Sequence, residues 1–358
     1  MDYVLKKPAE LTESEIARWI ALQEADPEVA SAFFRPEYAI AVEEARGNVE
    51  LVLLREDGHL VGVLPFERNS RNVGRAVAWR LSDCHGLVSR LGLNWSPAEL
   101  VRAAGLVAWK FDHLIASQEP FRRYHHWIDD APYMDLRGGY DVYCAQREAA
   151  TTWIRQGERK KRKLERNVGP VRFEFSTLDG LALEKLLEWK SRQIAKWELY
   201  DVFRVDWVVR LLEALQHARS PGFAGALSAL YAGEHLAAVH FGLKSHRHFC
   251  AWIPTHNPEL AVYSPGLLLH LELAKCAAEG GYERIDLGRG LNDLKRSLAS
   301  GNIRLAIGAV DTRPAIAMLS RLSQKVLRIL PTSRLRNFSP AVAALRFARR
   351  IENRFTRS

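Results

Sequence analysis

Residues 263–281, YSPGLLLHLELAKCAAEGG, predict a helix whose first turn lacks a side chain. Ser264 is a favourable N-cap and Pro265 suits the first helical position, but Gly266 costs up to about 1 kcal/mol relative to alanine inside a helix. One interpretation is a capped helix that tolerates a glycine. The other is an anion site, because the amides of the first turn face out of the helix and a glycine lets a phosphate approach them.

Two histidines that precede this helix are candidates for proton transfer. His240 lies on a predicted strand, and His256 follows the next strand in the segment PTHNPEL. An imidazole can take a proton from an amine or hydroxyl nucleophile near neutral pH, although a lone histidine is more often structural. Either residue is therefore a candidate catalytic base.

The segment ERIDLGRGLNDLK (283–295) carries three charged candidates. Asp286 ends a predicted strand, where it either orients a catalytic group or caps the next turn. Arg289 and Lys295 follow in a glycine-flanked loop. They are either solvated charges or ligands for the phosphate of a cofactor or an anionic acceptor.

The composition excludes several classes of protein. Neither a secretory apolar segment in the first twenty residues nor a stretch long enough to span a membrane is found, so we expect a cytoplasmic protein. The cysteines are scattered without a C-x-x-C motif, which argues against a metal site and against a disulfide framework. They are Cys84, Cys144, Cys250 and Cys276.

The net charge of +9 is concentrated in the C-terminal tail. Residues 313–358 contain eleven Lys/Arg and one acid, so the rest of the chain has a net charge of −1. The tail predicts an amphipathic helix that either packs on the body of the protein or contacts an anionic membrane surface. Its apolar face consists of Ile316, Leu319, Leu322, Val326 and Leu330. A second basic segment, 155–166, predicts a solvated helix whose charges could also hold phosphates.

The chain contains one series of motifs twice. The matches share offsets of 168 to 176 residues and predict a duplicated mixed sheet with helices on its faces. They are hairpins at 51–66 and 227–243, FFRPEY and VFRVDW, Trp19 and Trp189, and WSPAEL and YSPGLL. In the second half we predict strands at 171–175, 248–254, 283–287 and 304–310, and helices at 181–197, 206–218 and 265–279.

This order of elements resembles the GNAT acyltransferase fold, present twice as in the FemAB peptidyltransferases. It is most similar to the GNAT-type acetyltransferase family with CelD-like members of bacterial polysaccharide biosynthesis. The motifs that carry the resemblance are Phe34-Arg35-Pro36, SDCHG (82–86), Ser264-Pro265-Gly266 and DLGRG (286–290) with Lys295. The chain departs from the family at Leu294, where a tyrosine is usual, and in HFCAWIP, which lacks the glutamate base common in GNAT enzymes.

The resemblance implies an α/β fold with two tandem GNAT-like domains, each a mixed β-sheet flanked by helices. The domains are expected at 1–146 and 169–312, joined by a basic linker helix at 147–168 and followed by the basic helical tail, 313–358. The implied cofactor is acetyl-CoA or another acyl-CoA, whose pyrophosphate lies at the helix that begins at Pro265. The implied cofactor-binding residues are Ser264, Gly266, Leu267, Leu268, Arg289 and Lys295, and the catalytic candidates are His240, His256 and Asp286.

The implied activity is transfer of an acyl group to an amine or hydroxyl acceptor, such as a sugar precursor of a polysaccharide or envelope. Two alternatives remain at this point. One is a FemAB-type transferase fed by aminoacyl-tRNA, against which the lack of interleaved aromatic residues argues. The other is a non-catalytic accessory subunit that contacts a membrane synthase, or the inner face of the membrane, through the basic tail.

Overall fold

The computed structural model describes residues 1–196 and 200–313, and in them fourteen strands form one mixed sheet. The strands are β1 (Asp2–Lys6), β2 (Val49–Glu56), β3 (His59–Arg68), β4 (Val73–Arg75), β5 (Val88–Ser89), β6 (Ala108–Ile115), β7 (His125–Asp135), β8 (Val171–Thr177), β9 (Arg219–Ser220), β10 (Phe223–Ala232), β11 (His235–Ser245), β12 (His248–His256), β13 (Arg284–Asp286) and β14 (Gly301–Asp311). The helices are α1 (Glu13–Ala25), α2 (Pro36–Arg46), α3 (Pro97–Ala103), α4 (Tyr140–Ala150), α5 (Trp153–Asn167), α6 (Gly180–Ala195), α7 (Asp206–His217), α8 (Pro265–Glu279) and α9 (Asp293–Leu298).

The strand order is symmetrical about the middle of the sheet. It runs β1-β2-β3-β4-β6-β14-β7-β13-β12-β11-β10-β8, with β5 beside β3 and β9 beside β10. The last strand of each half lies in the other half: β14 pairs with β6, and β7 pairs with β13. The parallel pairs β4–β6 and β12–β13 occupy matching places in the two halves. We call this arrangement the strand exchange.

The predicted mixed α/β fold with GNAT-like halves is confirmed, with one difference. The strand exchange joins the two expected sheets edge to edge, because β14 also pairs with β7 along most of its length. The predicted domain boundaries, 1–146 and 169–312, stay a prediction.

Buried polar contacts also join the halves. Arg35 is fully buried, and its guanidinium contacts Glu24 and Glu37 at 3.1 and 2.7 Å and the carbonyl of Pro221 at 2.9 Å. Three acceptors offset the cost of burying this charge. The Phe34-Arg35-Pro36 motif therefore fixes the first half against the second.

The elements predicted for the second half are present with small shifts at their ends. The predicted linker helix at 147–168 is α5, preceded by α4, and the short helix α9 was not predicted. Helix α8 has its predicted bounds and ends at Gly280, followed by Gly281 with φ 77°. The tail beyond residue 313, including its predicted amphipathic helix, lies outside the described residues.

Candidate active site

Helix α8 begins with a residue in an unusual backbone conformation. Ser264 has φ 54° and ψ 50°, in the left-handed region, which costs about 1–3 kcal/mol for a residue with a side chain. Its hydroxyl makes no capping hydrogen bond, which corrects the expectation that Ser264 caps the helix through its side chain. Its carbonyl accepts from the amides of Leu267 and Leu268 at 2.9 and 3.3 Å. Of the three amides expected to face an anion, that of Gly266 is therefore the one that no described residue engages.

The space beside Gly266 is open. Outside its own helix, a Cβ at this position would have one described neighbour within 4 Å, His256 Nδ1 at 3.9 Å. The matching helix start in the first half has Ala98, and there Ser96 has an extended backbone. The two Ser-Pro starts thus differ in conformation, and the second leaves room for a phosphate against the backbone.

The two predicted histidines differ in their access to solvent. His256 is exposed, and its pKa is lowered by partial burial of the ring and by Lys190 and Lys196. His240 is fully buried, its ring 5.7 Å from that of Phe249, and neither ring nitrogen has a hydrogen-bond partner among the described residues. Burial lowers the pKa of His240 well below its usual range, so its ring is neutral but closed to a substrate.

A third histidine, His270, fixes the first turn of α8. Its Nδ1 lies 2.6 Å from the carbonyl oxygen of Gly266. Because a carbonyl accepts hydrogen bonds, Nδ1 is the donor and the neutral ring carries its lone pair on Nε2. The ring centroid lies 6.4 Å from that of His240, so the two imidazoles are neighbours beneath the helix start.

The charged residues predicted after β13 hold the loop that follows this strand. Asp286 is buried and forms an ion pair with Arg284. Lys295 Nζ donates to two carbonyl oxygens of the loop at 3.2 and 3.0 Å, and Arg289 Nη1 donates to the Asp112 carbonyl at 2.9 Å. These contacts fix the loop against the first half, and the predicted role of both cations toward a phosphate stays a prediction.

Asp83, from the first half, faces the same loop. A Cβ at Gly288 would stand 2.8 Å from Asp83 Oδ2, so the glycine lets the carboxylate lie against the backbone. No described residue forms a hydrogen bond or ion pair with this carboxylate. It lines a small cavity between the halves, together with Asp286, Cys84 and Cys250.

The surroundings of Asp83 bring the pKa of its carboxyl close to neutral pH. Burial raises the pKa of Asp83 to about 6, while His113, Lys295 and Arg289 pull the pKa down and Asp286 pushes it up. An unpaired carboxylate that titrates near neutral pH in a cavity is a candidate general base.

Lys190 on α6 interacts electrostatically with Asp83 and with the histidines near the start of α8. Burial lowers the pKa of Lys190 to about 8, and Lys295 acts in the same direction while Asp83 opposes it. The charge of Lys190 also lowers the pKa values of His240 and His256. The structure therefore brings the helix start and the loop after β13 into one electrostatic environment.

The thiols of the cavity are chemically inert. Ser31 Oγ lies 3.1 Å from Cys250 Sγ. Burial raises the pKa of Cys84 well above its usual range and that of Cys250 to about 12. Because the thiolate is the nucleophilic form, neither cysteine is suited to carry an acyl group.

Asp83, Lys190 and His270 are missing from the site predicted by sequence. Asp83 stands in the SDCHG motif, and His270 interrupts the apolar face of α8 four residues after Gly266, so both positions carry a signal. Lys190 carries none, because a lysine on a helix is usually solvated and its burial here depends on tertiary packing.

Within residues 1–196 and 200–313, no group of three or more His, Cys, Asp or Glu side chains is arranged to hold a metal ion. None of the helices described there is long and apolar enough to cross a membrane.

Residues 154–296, which include β8 to β13 and both parts of the site, match the family model described as "Acetyltransferase (GNAT) domain". This segment is a GNAT domain. The GNAT domain contains Gly266, His256 and Lys190, whereas Asp83 comes from the half that precedes it. The candidate site therefore combines GNAT residues with one carboxylate of the first half.

Solved structures that match 87–90% of this chain share its fold. FemX shares 11% identity at a TM-score of 0.57, and the match covers 90% of this chain and 100% of FemX. A tandem GNAT protein from the clavulanic acid biosynthesis pathway shares 12% identity at a TM-score of 0.50, with 87% and 99% covered. L-PGS from Bacillus licheniformis shares 12% identity at a TM-score of 0.51, and the match covers 87% of this chain and 96% of L-PGS. No curated protein sequence matches the chain.

Proposed function

We propose that this GNAT protein transfers an acyl group from acyl-CoA to a primary amine. The observation that carries the proposal is the open first turn of α8, where the Gly266 amide is free and His256 is its one close neighbour. The GNAT family membership of residues 154–296 supports acyl transfer as the reaction class.

The donor end of the site is the start of α8. The free Gly266 amide and the dipole of a fifteen-residue helix favour a phosphate at this point. Lys190 adds positive charge without a paired carboxylate among the described residues. These groups fit the pyrophosphate of coenzyme A, whose thioester supplies an acyl group already activated for transfer.

The acceptor end is the cavity between the halves. Two carboxylates line it, and Asp83 is not neutralised by any described cation at ion-pair distance. A carboxylate of this kind attracts an ammonium group more strongly than a neutral hydroxyl. We therefore favour an amine over a hydroxyl acceptor.

In the proposed reaction the bound ammonium first gives one proton to solvent. The neutral amine nitrogen then bonds to the thioester carbonyl carbon, and the carbon–sulfur bond breaks. Asp83 takes the proton that the nitrogen loses, and coenzyme A leaves as the thiolate, which is then protonated from solvent. His270 donates to the Gly266 carbonyl and so helps to fix the first turn of α8. Positioning and proton removal are sufficient because the thioester is already reactive.

The resemblance to the GNAT-type family with CelD-like members supports a more specific proposal for the acyl group, the acceptor and the location. We propose acetyl as the acyl group, an amino sugar of polysaccharide or envelope biosynthesis as the acceptor, and the cytoplasm as the location.

The proposal is tested by acyl-CoA titration calorimetry and by release of free coenzyme A thiol in the presence of paired acceptors. Glucosamine and glucose form a matched pair that differs at the amine. Binding of acetyl-CoA with amine-dependent thiol release is expected. Absence of acyl-CoA binding together with co-purifying tRNA would instead favour the aminoacyl-tRNA alternative.

A further inference from the structure

Helix α5 presents a row of arginines that the proposed acyl transfer does not use. Its inner face is buried, and at Gly157 it packs directly on Leu271 of α8. Its outer face carries exposed arginines separated by four, three and four residues, which places them within about 60° of one another along about 16 Å of helix. They are Arg155, Arg159, Arg162 and Arg166, and we call them the arginine stripe.

In the described part of the chain the stripe arginines pair with no carboxylate, although Glu158 and Glu165 lie on the same helix. None of the four guanidinium groups forms an ion pair there. Arg166 Nε donates a long hydrogen bond to Asn167 Oδ1, at 3.4 Å. Like charges four residues apart destabilise a helix. The other basic residues of α5 differ: Lys161 pairs with Glu272 at 2.6 Å, and Lys160 donates to the carbonyl of Val262 at 2.5 Å.

A turn with exposed apolar side chains packs on the flank of α5 that carries Lys160 and Lys163. The 3-10 turn Pro258–Tyr263 is held against α5 by Lys160 and by Lys163, whose ammonium lies 5.8 Å from the centre of the Tyr263 ring. Val262 in this turn is 62% exposed, and Ala261 next to it is also exposed. Basic side chains next to an exposed aliphatic group are the combination that binds an anionic lipid surface, which needs both charge attraction and apolar insertion.

We propose that the arginine stripe and Val262 form a docking surface for an anionic lipid bilayer. The four guanidiniums contact lipid phosphates, and Val262 inserts among the headgroups. A nucleic acid backbone would satisfy the arginines but would leave the apolar turn without a partner, so the bilayer is favoured. The surface is separate from the predicted tail and does not depend on the proposed acyl transfer.

The test uses the full chain and vesicles of phosphatidylcholine mixed with phosphatidylglycerol, with phosphatidylcholine alone as the reference. Binding is measured by co-sedimentation at low ionic strength. Replacing all four stripe arginines by glutamine should lower the partition coefficient about 100-fold or more, because each basic residue near an anionic surface strengthens binding several-fold. Val262→Ser should lower it about three- to tenfold.

The matched control replaces four exposed arginines elsewhere, each of which is paired with a carboxylate on its own helix or turn. They are Arg122, Arg192, Arg204 and Arg296. Both sets lower the net charge of +9 by four, so a loss of binding confined to the stripe variant is not an effect of net charge. We expect the control to bind as the parent does, because its arginines lie outside the stripe. Melting temperatures equal to that of the parent establish that each variant is folded.

Three outcomes would overturn the proposal. Equal loss in both quadruple variants would assign vesicle binding to net charge. Unchanged binding of the stripe variant would place the contact elsewhere on the chain. Loss of duplex RNA binding with unchanged vesicle binding would assign the stripe to nucleic acid.

Discussion

At the scale of single residues, Asp83 is the group whose charge state matters most for the proposed reaction. It is an unpaired carboxylate in a cavity, and its pKa is raised to about 6. Below that pH the carboxyl is protonated and cannot accept a proton from the acceptor nitrogen.

Asp83→Asn should lower kcat/KM about 100-fold or more, while acyl-CoA affinity stays unchanged. In the parent, kcat/KM should rise with pH through an inflection near the raised pKa of Asp83, about 6. The variant should lack this inflection. The control is Asp293→Asn, at an exposed carboxylate on α9. A parent-like pH profile in Asp83→Asn would place the base elsewhere.

The same substitution should stabilise the protein at neutral pH. The pKa of Asp83 is higher in the folded protein than in the unfolded chain, so its charged form opposes folding. Its contribution is most favourable at low pH and is lost as the pH rises through about 6. Asp83→Asn should therefore raise the free energy of unfolding at pH 7 by up to about 3 kcal/mol, measured by urea denaturation. A lower stability of the variant at pH 7 would mean that the carboxylate has a stabilising partner.

Gly266→Asp should weaken acyl-CoA binding about tenfold or more, because bulk and negative charge would occupy the place of the phosphate. The melting temperature should change little, since an acidic residue in a first helical turn is mildly favourable. Ala98→Asp at the matching position of α3 is the control and should leave affinity unchanged. Calorimetric titration of both variants with acyl-CoA measures the effect. Equal affinities of Gly266→Asp and the parent would mean that the turn is only a helix start.

The candidate site residues named from the sequence stay a prediction, and they are those whose local pattern is distinctive. Gly266 is unusual in a first helical turn, and Asp286 ends a short strand before a glycine-rich loop. Asp83 and Lys190 reach the site through the packing of one half on the other, which no local pattern encodes. Ser264 shows the remaining limit. Its residue type predicts a side-chain cap, whereas in the structure it follows a 3-10 turn with its backbone in the left-handed region and makes no such cap.

At the scale of elements, the crossing of α5 and α8 determines where the arginine stripe and the helix start lie relative to each other. Gly157 is the contact point, because any side chain there would meet Leu271. A glycine in the middle of a helix costs about 1 kcal/mol relative to alanine. The close packing of α5 against α8 at this point offsets that cost.

Gly157→Val should lower the free energy of unfolding by about 1–3 kcal/mol through overpacking against α8. Gly180→Ala is the matched control, because a Cβ there has no described neighbour within 4 Å. We expect that control to be neutral or slightly stabilising. Urea unfolding of both variants gives the comparison; a Gly157→Val protein as stable as the parent would mean that the helices separate without cost.

Periodicity and turn residues predicted most elements of the second half, because hairpins and long amphipathic helices are encoded within a short window. Helix α9 escaped prediction since it spans six residues, from Asp293 to Leu298, too few for a periodic pattern. The strand exchange was not predicted from the sequence either. The pairing of β6 with β14 joins residues nearly 200 positions apart, and neither strand records its partner in its own sequence.

At the scale of the whole molecule, the strand exchange makes the two halves mutually dependent. β14 completes the sheet of the first half between β6 and β7, and β7 continues the sheet of the second half beside β13. Arg35 adds a buried polar contact between the halves.

Thermal unfolding should therefore be one cooperative transition, although the chain contains two GNAT-like halves. Differential scanning calorimetry should give a calorimetric enthalpy equal to the van't Hoff enthalpy. Two resolved transitions would show that each half is stable without the strand of the other.

The strand exchange also governs the order in which the chain can be made. Both neighbours of β7 in the sheet, β13 and β14, are translated after it. While the ribosome synthesises the following residues, β6 and β7 present unpaired edges to solvent, and such edges recruit other chains. The first half of this protein is thus finished by the last of the described strands to emerge, and a nascent chain that stalls before residue 301 leaves the sheet of the first half incomplete.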